Sequence, residues 1–356
     1  MREKVVVGMS GGVDSSAAAY LLKEAGYEVI GVTMRLWTEQ AAEAEGFSGP
    51  DAVQDARQVA LKLGIPHYVM DFREEFERQV VAYFVREYAA GRTPNPCVAC
   101  NRSIKWEALL HRAAGIGADC IATGHYARIK RLENGRFSVC SSVTAAKDQT
   151  YALCRLTQAQ LARTRMPVGE YPKEEIRELA RQAGLPVADK PDSQEICFVG
   201  DNDYAGFIRR YSGQEFPPGN FVDRQGRVMG RHRGIIHYTV GQRKGLGLAL
   251  PEPAFVLEIR PKTNEVVLGF GREIFAGEAT AEGMNWMSRA GEDVEDGMRV
   301  TAKLRYGHRG AAARIFQEGD GRLRCVFEEE QRAVTPGQAL VLYEEDCVLG
   351  GGTITG

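Results

Sequence analysis

The chain has 356 residues, of which 44% are hydrophobic and 26% charged; these are ordinary globular values, and they exclude a disordered or low-complexity protein. This length exceeds what a single hydrophobic core usually supports, so we expect two or three domains. The net charge of -2 excludes a general attraction to polyanions, and no apolar run reaches the roughly 18 residues of a membrane span, so a cytoplasmic protein without membrane contact is expected.

Residues 4–126 alternate short β-branched runs with helical patterns, as a parallel sheet with crossover helices requires. The predicted strands are Val5–Val7, Glu28–Leu36, His67–Asp71 and Asp119–Thr123. The predicted helices are Asp14–Ala25, Asp51–Leu63, Arg73–Ala89 and Ser103–Ala114. The fold class is therefore α/β, with a doubly wound parallel sheet that binds its ligands at the carboxyl ends of the strands.

The second half of the chain changes in texture. Asn134-Gly135 predicts a hairpin turn, and a helix over Lys173–Ala183 ends at Gly184. After about residue 210, glycine and proline become frequent and alternation replaces helical spacing, which favours mainly β structure. We predict three domains, with bounds 1–205, 206–278 and 279–356, of which the second is a small central domain and the third a C-terminal β-barrel.

The sharpest local signal is the loop between the first strand and the first helix, which reads Gly8-Met9-Ser10-Gly11-Gly12-Val13-Asp14-Ser15. Glycines let the main chain approach a ligand, and the start of a helix directs N–H groups and partial positive charge at the same point. The loop lacks the lysine of the Walker motif and does not match the dinucleotide-binding pattern. An ordinary glycine-rich turn explains the glycines but not the Ser-Gly-Gly-x-Asp-Ser unit, so a pyrophosphate-binding loop is predicted.

This unit resembles the motif of the PP-loop ATP pyrophosphatases, which cleave ATP to AMP and pyrophosphate while adenylating an oxygen of their substrate. Further segments resemble one family, the tRNA-specific 2-thiouridylases, and they are Gly91–Pro96 with Cys100-Asn101, Ala122–Tyr126, Lys147–Tyr151, Asp192–Phe198, His237–Gly247 and Val334–Gln338. The resemblance implies that 1–205 is a PP-loop ATP-binding catalytic domain, that 206–278 is a central linking domain and that 279–356 is a tRNA-contacting barrel, with ATP and Mg²⁺ as cofactors. It also implies that the substrate is the wobble uridine of tRNAs for Glu, Gln and Lys, thiolated at carbon 2.

The resemblance assigns roles to individual positions. The ATP-binding residues would be Gly8, Met9, Ser10, Gly11, Gly12, Val13, Asp14, Ser15, Met34 and Gly124. The residues that touch the target base would be Asn95, Pro96 and Cys97. The other tRNA-contacting residues would be His125, Lys147, Asp148, Gln149, Arg305, Tyr306 and Gln338.

Two distant cysteines fit this chemistry, because an adenylated carbonyl oxygen must be displaced by sulfur. In the family, Cys197 would carry a persulfide received from a sulfur donor. The expected donor is a persulfide carrier protein, or sulfide in the iron–sulfur route described below. Cys100 would then resolve the persulfide, leaving a transient Cys100–Cys197 disulfide. The remaining cysteines are expected to be small buried apolar thiols, and these are Cys120, Cys140, Cys154, Cys325 and Cys347.

Cys97 departs from the family, in which many members carry Asp at this position. With Cys100 and Cys197 it would give three thiolates, a set that resembles the iron–sulfur-dependent tRNA thiolases with a [4Fe–4S] cluster. A closed zinc site normally needs a fourth Cys or His, which has no candidate here. Both the persulfide and the cluster routes need Cys100 and Cys197, and only the cluster needs Cys97.

Alternative functions are a PP-loop ligase or amidotransferase, which needs neither cysteine, and a non-catalytic tRNA-binding protein, which would not retain Ser10, Asp14 and both thiols. Two windows without acidic residues, Arg224–Lys244 and Arg299–Arg314, either bind a polyanion or are solvated surface charge balanced elsewhere. Whether the loop Thr38–Pro50 folds only on tRNA is left open.

Overall fold

The computed structural model describes residues 2–37, 49–191, 196–200 and 203–356. Thr38–Ser48 of the Thr38–Pro50 loop and Asp192–Glu195 of one family motif lie outside the described residues. The chain divides into two compact units: the first contains Met1–Val80, Cys97–Asn202 and Asp346–Val348, and the second contains Val81–Pro96, Asp203–Glu345 and Leu349–Gly356. In the described part of the chain, no helix has both the length and the apolar character needed to cross a bilayer.

A five-stranded sheet forms the centre of the first unit, and all of its strand pairs are parallel. Its spatial order is β3-β2-β1-β4-β7, with β1 Lys4–Gly8, β2 Glu28–Arg35, β3 His67–Asp71, β4 Cys120–Ala122 and β7 Thr164–Arg165. The hairpin predicted around Asn134-Gly135 is also present, as β5 Ala127–Arg131 and β6 Phe137–Ser141. The predicted parallel sheet is confirmed. Its central strand β1 is a fully buried valine run, as expected for a parallel sheet that is covered on both faces.

The helices follow the predicted pattern, with two interruptions. They are α1 Val13–Glu24, α2 Gly49–Leu63, α3 Arg73–Phe76, α4 Ala82–Ala89, α5 Pro96–Cys100, α6 Leu109–Gly115, α7 Gln158–Ala162, α8 Lys173–Gln182 and α9 Tyr204–Ser212. The predicted helix Arg73–Ala89 contains a π-helical segment at Glu77–Val81, and the predicted helix Ser103–Ala114 has one at Asn101–Ala108. Single-turn π segments are frequent at functional sites.

The second unit is mainly β, as the alternation predicts. A four-stranded sheet has the order β10-β11-β8-β9, with β8 Gly219–Val222, β9 Val228–His232, β10 Ala254–Arg260 and β11 Glu265–Phe270. The six strands of the barrel are β12 Phe275–Trp286, β13 Met298–Lys303, β14 Ala311–Gln317, β15 Arg322–Arg332, β16 Ala339–Glu344 and β17 Cys347–Ile354. The barrel is closed by pairing of β12 with β17, which confirms the predicted β-barrel.

Each unit has an apolar core of its own. In the first, α1 and α8 pack beside β1, and Ala17, Val5 and Ile176 are fully buried. In the barrel, the inward side chains alternate along the strands, as Val300 and Ala302 do on β13. Burial of this apolar surface stabilises the scaffold that positions the polar residues described below.

The expectation that all cysteines are thiols is wrong for one pair. Cys120, Cys154 and Cys325 are buried free thiols, as predicted. Cys140 and Cys347 are also buried, but their sulfurs form a disulfide. The reason is the strand register, because Cys140 on β6 lies directly opposite Cys347 on β17, 207 residues away in sequence. Sequence spacing does not reveal such a register.

Candidate active site

The phosphate loop is held in shape by its own hydroxyl groups. Ser10 N–H donates to Ser15 Oγ at 3.2 Å, and the hydroxyls of Ser15 and Ser16 donate to Gly12 O at 3.2 and 2.8 Å. Gly11 has φ 72°, and a side chain there would overlap the main chain at Ala52. The loop therefore requires glycine for both conformation and close approach, and it leaves the start of α1 open toward an anion.

Asp14, in the first turn of α1, is the charged group of the loop. Lys173 Nζ donates to its two carboxylate oxygens at 2.8 and 2.9 Å, and the Tyr126 hydroxyl donates to Asp14 Oδ1 at 2.8 Å. Lys173 is buried, at 5% exposure, and its ammonium also lies 5.7 Å from the centre of the Tyr126 ring. Three hydrogen bonds from two side chains thus fix the orientation of the Asp14 carboxylate.

A second lysine also reaches the loop. Lys190 Nζ donates to Gly11 O at 3.3 Å and to Asp55 Oδ2 at 2.5 Å. The sequence does not predict that Lys173, Lys190 and Tyr126 contact the loop, because they are 112 to 179 residues away from their partners there. The available signals were weak: Lys173 opens a predicted helix, and Tyr126 belongs to the Ala122–Tyr126 motif.

Met34 and Gly124, the predicted contacts of the nucleoside, lie on either side of the loop. Met34 is near the end of β2, and its Cε is 3.9 Å from the position that a Cβ on Gly8 would take. A Cβ on Gly124 would lie 2.5 Å from the main chain of both Asp14 and Ser15. The chain after β4 therefore packs directly onto the phosphate loop, at the carboxyl ends of adjacent parallel strands.

The candidate sulfur-carrying residues are organised by the helix register. Cys97 and Cys100 are three residues apart in α5 and share one face. The next segment is π-helical, and Leu109 N–H donates to Ile104 O, five residues back. In a π-helix, residues five apart lie within roughly 50° of each other around the helix axis, whereas an α-helix would place them about 140° apart. Lys105 therefore lies on the face of Cys100.

Electrostatic effects link this face to Cys197. Burial raises the pKa of the Cys197 thiol to about 12, the sulfurs of Cys100 and Cys97 act in the same direction, and Lys105 opposes them. Burial also raises the pKa of Cys100, again with Lys105 opposing and Cys97 adding. Cys197 nevertheless has solvent-exposed surface. Many protein atoms therefore pack around its thiol, but the residue stays accessible to solvent. Cys97 and Cys100 thus lie within electrostatic range of Cys197, and the Lys105 ammonium lies within electrostatic range of Cys100 and Cys197.

The two parts of the site meet at His125. This residue follows Gly124, its Nδ1 lies 2.7 Å from Thr123 Oγ1, and its ring centre is 5.5 Å from that of Trp106. Burial lowers the pKa of His125 well below its usual value, and Lys105 lowers it further. The imidazole is therefore neutral at pH 7, between the phosphate loop and the cysteines.

A metal ion needs several ligand atoms close together. Among the described residues, the group with three such atoms within 4.8 Å of one another is Cys140, Asp346 and Cys347. Its two sulfurs are bonded to each other, so it offers no thiolate to an ion. The sulfurs of Cys97, Cys100 and Cys197 do not all lie within 4.8 Å of one another, so they are not arranged around a single ion.

The predicted tRNA-contacting residues divide between the units. In the first, Gln149 Oε1 accepts from Tyr126 N–H at 2.8 Å, and Asp148 Oδ1 accepts from Thr150 N–H at 2.7 Å, while Lys147 ends a short 3-10 turn. Gln149 thereby braces the tyrosine that binds Asp14. In the second unit, Arg305 and Tyr306 are exposed after β13, and Gln338 is half-buried before β16.

Asn95 and Pro96, predicted to touch the base, follow a segment that packs on the barrel. Thr93 N–H donates to Pro336 O at 2.9 Å, and Gln338 Nε2 donates to Thr93 O at 2.8 Å. Asn95 is half-buried, and Pro96 begins α5. The predicted tRNA-contacting Gln338 therefore contacts Thr93, two residues before the predicted base-contacting Asn95.

The two basic windows contain both paired and unpaired cations. Arg224 pairs with Glu273 at 3.4 Å, and Arg227 pairs with Asp223 at 2.5 Å. In the second window, Arg299 pairs with Glu328 at 2.7 Å. Arg243 and Lys244 are exposed, and neither forms an ion pair with a residue that the structure describes. Part of each window is thus surface charge neutralised by acids from outside it.

Comparison with known proteins covers the whole chain. Three family models match in succession: a tRNA methyl transferase HUP domain at 3–201, a tRNA methyl transferase PRC-barrel domain at 205–270, and an aminomethyltransferase β-barrel domain at 277–354. The chain is 63% identical over 356 residues to the tRNA-specific 2-thiouridylase MnmA of Lachnoclostridium phytofermentans, with 99% of both chains covered. Identity is 53% to the protein of that name from Acetivibrio thermocellus, covering 99% of both chains, and 50% to that from Clostridioides difficile, covering 99% and 98%.

Proposed function

Because the chain belongs to the tRNA-specific 2-thiouridylase family, it is an ATP-dependent tRNA sulfurtransferase, and we propose how its residues divide the reaction. The observation that carries the proposal is that the chain after β4 adjoins both parts of the site. Gly124 packs on the phosphate loop, and His125 lies within electrostatic range of Lys105, the cation near Cys100 and Cys197.

The phosphate loop binds ATP. N–H groups at the start of α1 bind the phosphates, and Lys190 supplies the cation that the loop itself lacks. Asp14 fits a Mg²⁺ site, because Mg²⁺ is usually held by one or two carboxylates together with the phosphates of its substrate. Its side chain is 30% exposed, so an ion can reach it, and Lys173 and Tyr126 hold it in place. Bound Mg²⁺ would neutralise phosphate charge.

Activation makes an oxygen of the base into a leaving group. The C2 oxygen of the wobble uridine attacks the α-phosphorus of ATP, pyrophosphate leaves, and the base becomes adenylated at that oxygen. Met34 lies where it can contact the nucleoside of ATP, and Asn95 and Pro96 hold the uracil. The neutral His125 adds no positive charge beside the adenylate, and can act there only as a hydrogen-bonding group.

Sulfur transfer then uses two thiols. Cys197 receives a sulfur atom from a donor, for which we propose a persulfide carrier protein, and its terminal sulfur attacks C2 while AMP leaves. Cys100 attacks Cys197 Sγ, the bond from Sγ to the transferred sulfur breaks, and its electron pair stays with the sulfur on C2. The products are 2-thiouridine and a Cys100–Cys197 disulfide, which an external dithiol reduces. Lys105 stabilises the anionic sulfur in each step.

A [4Fe–4S] cluster on Cys97, Cys100 and Cys197 is the alternative route. The thiols lie in one neighbourhood, and a cluster spaces its ligands more widely than a single ion does, so this donor set fits a cluster as well. A bound cluster would supply an open iron site for sulfide. The two routes differ in Cys97, which is exposed and has no role in the persulfide steps.

The tRNA-binding surface of the second unit includes what we call the basic turn, residues 241–244. Val256 fixes this turn, because Gly241 N–H donates to Val256 O at 2.8 Å and Val256 N–H donates to Gln242 O at 3.0 Å. Nearby, the Arg332 guanidinium lies 4.9 Å from the centre of the Phe255 ring, and Arg305 Nη1 donates to Arg332 O at 3.2 Å. Cations beside an aromatic ring suit an RNA backbone and its bases.

The test is thiolation of unmodified tRNA with ATP and a persulfide donor. Cys197→Ser and Cys100→Ser should each abolish 2-thiouridine formation while pyrophosphate formation in the adenylation step continues, and Cys325→Ala, a buried barrel thiol, should retain activity. Retention of 2-thiouridine by Cys197→Ser would contradict its role. For the route, anaerobically purified wild type and Cys97→Ala are compared by iron content and visible absorbance. Full activity of iron-free Cys97→Ala supports the persulfide steps.

A further inference from the structure

The segment that precedes Asn95 is held by the barrel through main-chain contacts. Thr93 uses both of its peptide groups: its N–H donates to Pro336 O at 2.9 Å, and its carbonyl accepts from Gln338 Nε2 at 2.8 Å. The contact between Thr93 and Gln338 joins residues 245 positions apart in sequence. The peptide groups of Thr93 are therefore satisfied by one turn of the barrel, Thr335–Gln338.

That turn is itself built for close approach. Gly337 has φ 93°, and a Cβ there would lie 2.9 Å from Thr93 N and 3.0 Å from Thr93 C. Any side chain at this position would push the two main chains apart, and the left-handed conformation also disfavours one. Gln338 is fixed by the sheet, because Ile354 N–H donates to Gln338 O at 2.8 Å.

The other end of the segment is fixed as well. Arg92 makes a two-pronged ion pair with Glu87 of α4, through Nε to Oε2 at 2.6 Å and Nη2 to Oε1 at 2.8 Å. Glu87 is 7% exposed, so a buried carboxylate anchors Arg92 to α4. Residues 91–94 are thus held at Arg92 and at Thr93, immediately before Asn95.

We propose that Gln338 is a positioning residue: its side-chain amide holds the main chain at Thr93, so that Asn95 and Pro96 meet the target base in a fixed geometry. Its resemblance-based role was direct contact with tRNA, but its amide N–H group faces Thr93 instead. The inference rests on the proposed function in one respect, which is that Asn95 and Pro96 touch the base.

The proposal is tested with Gln338→Met, which keeps the shape of the side chain but cannot donate a hydrogen bond. Gln317→Met is the matched control, because Gln317 Nε2 also donates to main-chain carbonyls of the barrel, Gly291 O and Val294 O, both at 2.9 Å. We expect Gln338→Met to lower kcat about tenfold, since a small misplacement of reacting groups is costly, while the Kd for tRNA changes less than about twofold. Gln317→Met should change neither.

Gly337→Ala provides a second variant, since a Cβ at this position displaces Thr93 without altering Gln338. It should reproduce the loss of kcat at unchanged Kd. A tenfold rise in Kd for Gln338→Met with kcat unchanged would overturn the proposal in favour of direct tRNA contact. Unchanged kcat and Kd together would also overturn it.

Hydrogen exchange of the tRNA-free enzyme separates this proposal from the proposed function. The Thr93 amide should exchange at least about tenfold faster in Gln338→Met than in wild type or Gln317→Met, because a closing contact is lost. Equal exchange would contradict positioning whatever the reaction is. If exchange accelerates but Asn95→Ala thiolates tRNA normally, the positioning stands and the assignment of the base-contacting segment fails.

Discussion

Lys173 Nζ lies 2.8 and 2.9 Å from the two carboxylate oxygens of Asp14, so that one buried ammonium holds the acidic residue of the phosphate loop by both oxygens. Asp14 also lies in the first turn of α1, where the helix dipole favours a negative charge. The Tyr126 hydroxyl makes the third contact. This carboxylate is therefore oriented before any ligand arrives, which is what a site for Mg²⁺ and phosphate requires.

Replacing Lys173 should impair activation of the uridine. In Lys173→Met the Asp14 carboxylate loses its fixed orientation, and we expect AMP formation in a single turnover to slow about 100-fold, the usual effect of removing one preorganised electrostatic group. Affinity for tRNA should be unchanged. The control is Lys4→Met, which breaks a partly exposed ion pair with Glu28 at 3.3 Å and should cost less than about 1 kcal/mol of stability. A Lys173→Met enzyme with a normal rate and only a lower Tm would assign the pair a structural role.

Gly124 tests the close packing between β4 and the phosphate loop. In Gly124→Ala the new Cβ would lie 2.5 Å from the main chain of Asp14 and Ser15, so the start of α1 must shift. We expect ATP affinity to fall about tenfold and unfolding free energy to drop by about 1–3 kcal/mol, as overpacking does elsewhere. Gly115→Ala, where no atom lies within 4 Å of the new Cβ, should leave ATP affinity unchanged. Equal ATP affinities for the two variants and wild type would contradict this packing role.

Much of the scaffold could be predicted because the relevant signals are local. The predicted bounds of the strand His67–Asp71 match the structure, since a short run between two predicted helices is where an α/β sheet places a strand. The glycine and serine loop was identified for the same reason. The π-helical segment Asn101–Ala108 was not, because it differs from an α-helix only in its hydrogen-bond register, which composition does not encode.

The contacts that complete the site are distant in sequence, and the sequence alone does not reveal them. Lys173 and Lys190 reach the loop only once the chain has folded, because they are 159 and 179 residues away from the loop residues that they contact. The Cys140–Cys347 disulfide likewise follows from a strand register that no spacing rule predicts. Lys105 is intermediate: it belongs to the segment after Cys100, but only the π turn places it on the same face. The assigned roles of Cys97, Cys100 and Cys197 stay predictions until the experiments above are done.

Lys105 should lower the pH at which the Cys197 thiol becomes reactive. With a pKa of about 12, the Cys197 thiol is only about one part in ten thousand thiolate at pH 8, so its alkylation rate should rise about tenfold per pH unit between pH 8 and 11. Lys105 lowers this pKa, so Lys105→Met should shift the profile to higher pH and slow alkylation at pH 9. Lys105→Arg should restore it.

The alkylation experiment uses iodoacetamide and mass spectrometry of the peptide that contains Cys197, on metal-free enzyme. Arg102→Gln is the control, because it removes an exposed positive charge from the same π-helical segment. Identical pH profiles for wild type and Lys105→Met would show that the ammonium does not act on this sulfur. A shift that is equally large in Arg102→Gln would point to net charge instead of position.

The basic turn should contribute phosphate contacts, and charge-matched variants can separate it from the rest of the Arg224–Lys244 window. In Arg243→Gln/Lys244→Gln, two exposed cations without ion-pair partners among the described residues are removed, and the slope of log K for tRNA against log salt should fall by about two. In Arg224→Gln/Arg227→Gln, the same charge is removed from residues paired with Glu273 and Asp223, so the slope should change by less than about one. Binding is measured by filter retention between 50 and 200 mM salt, the range of about fourfold over which such slopes are resolved. Equal slopes for the two double variants would mean that the window acts through its total charge, and that the basic turn has no specific contact with the RNA backbone.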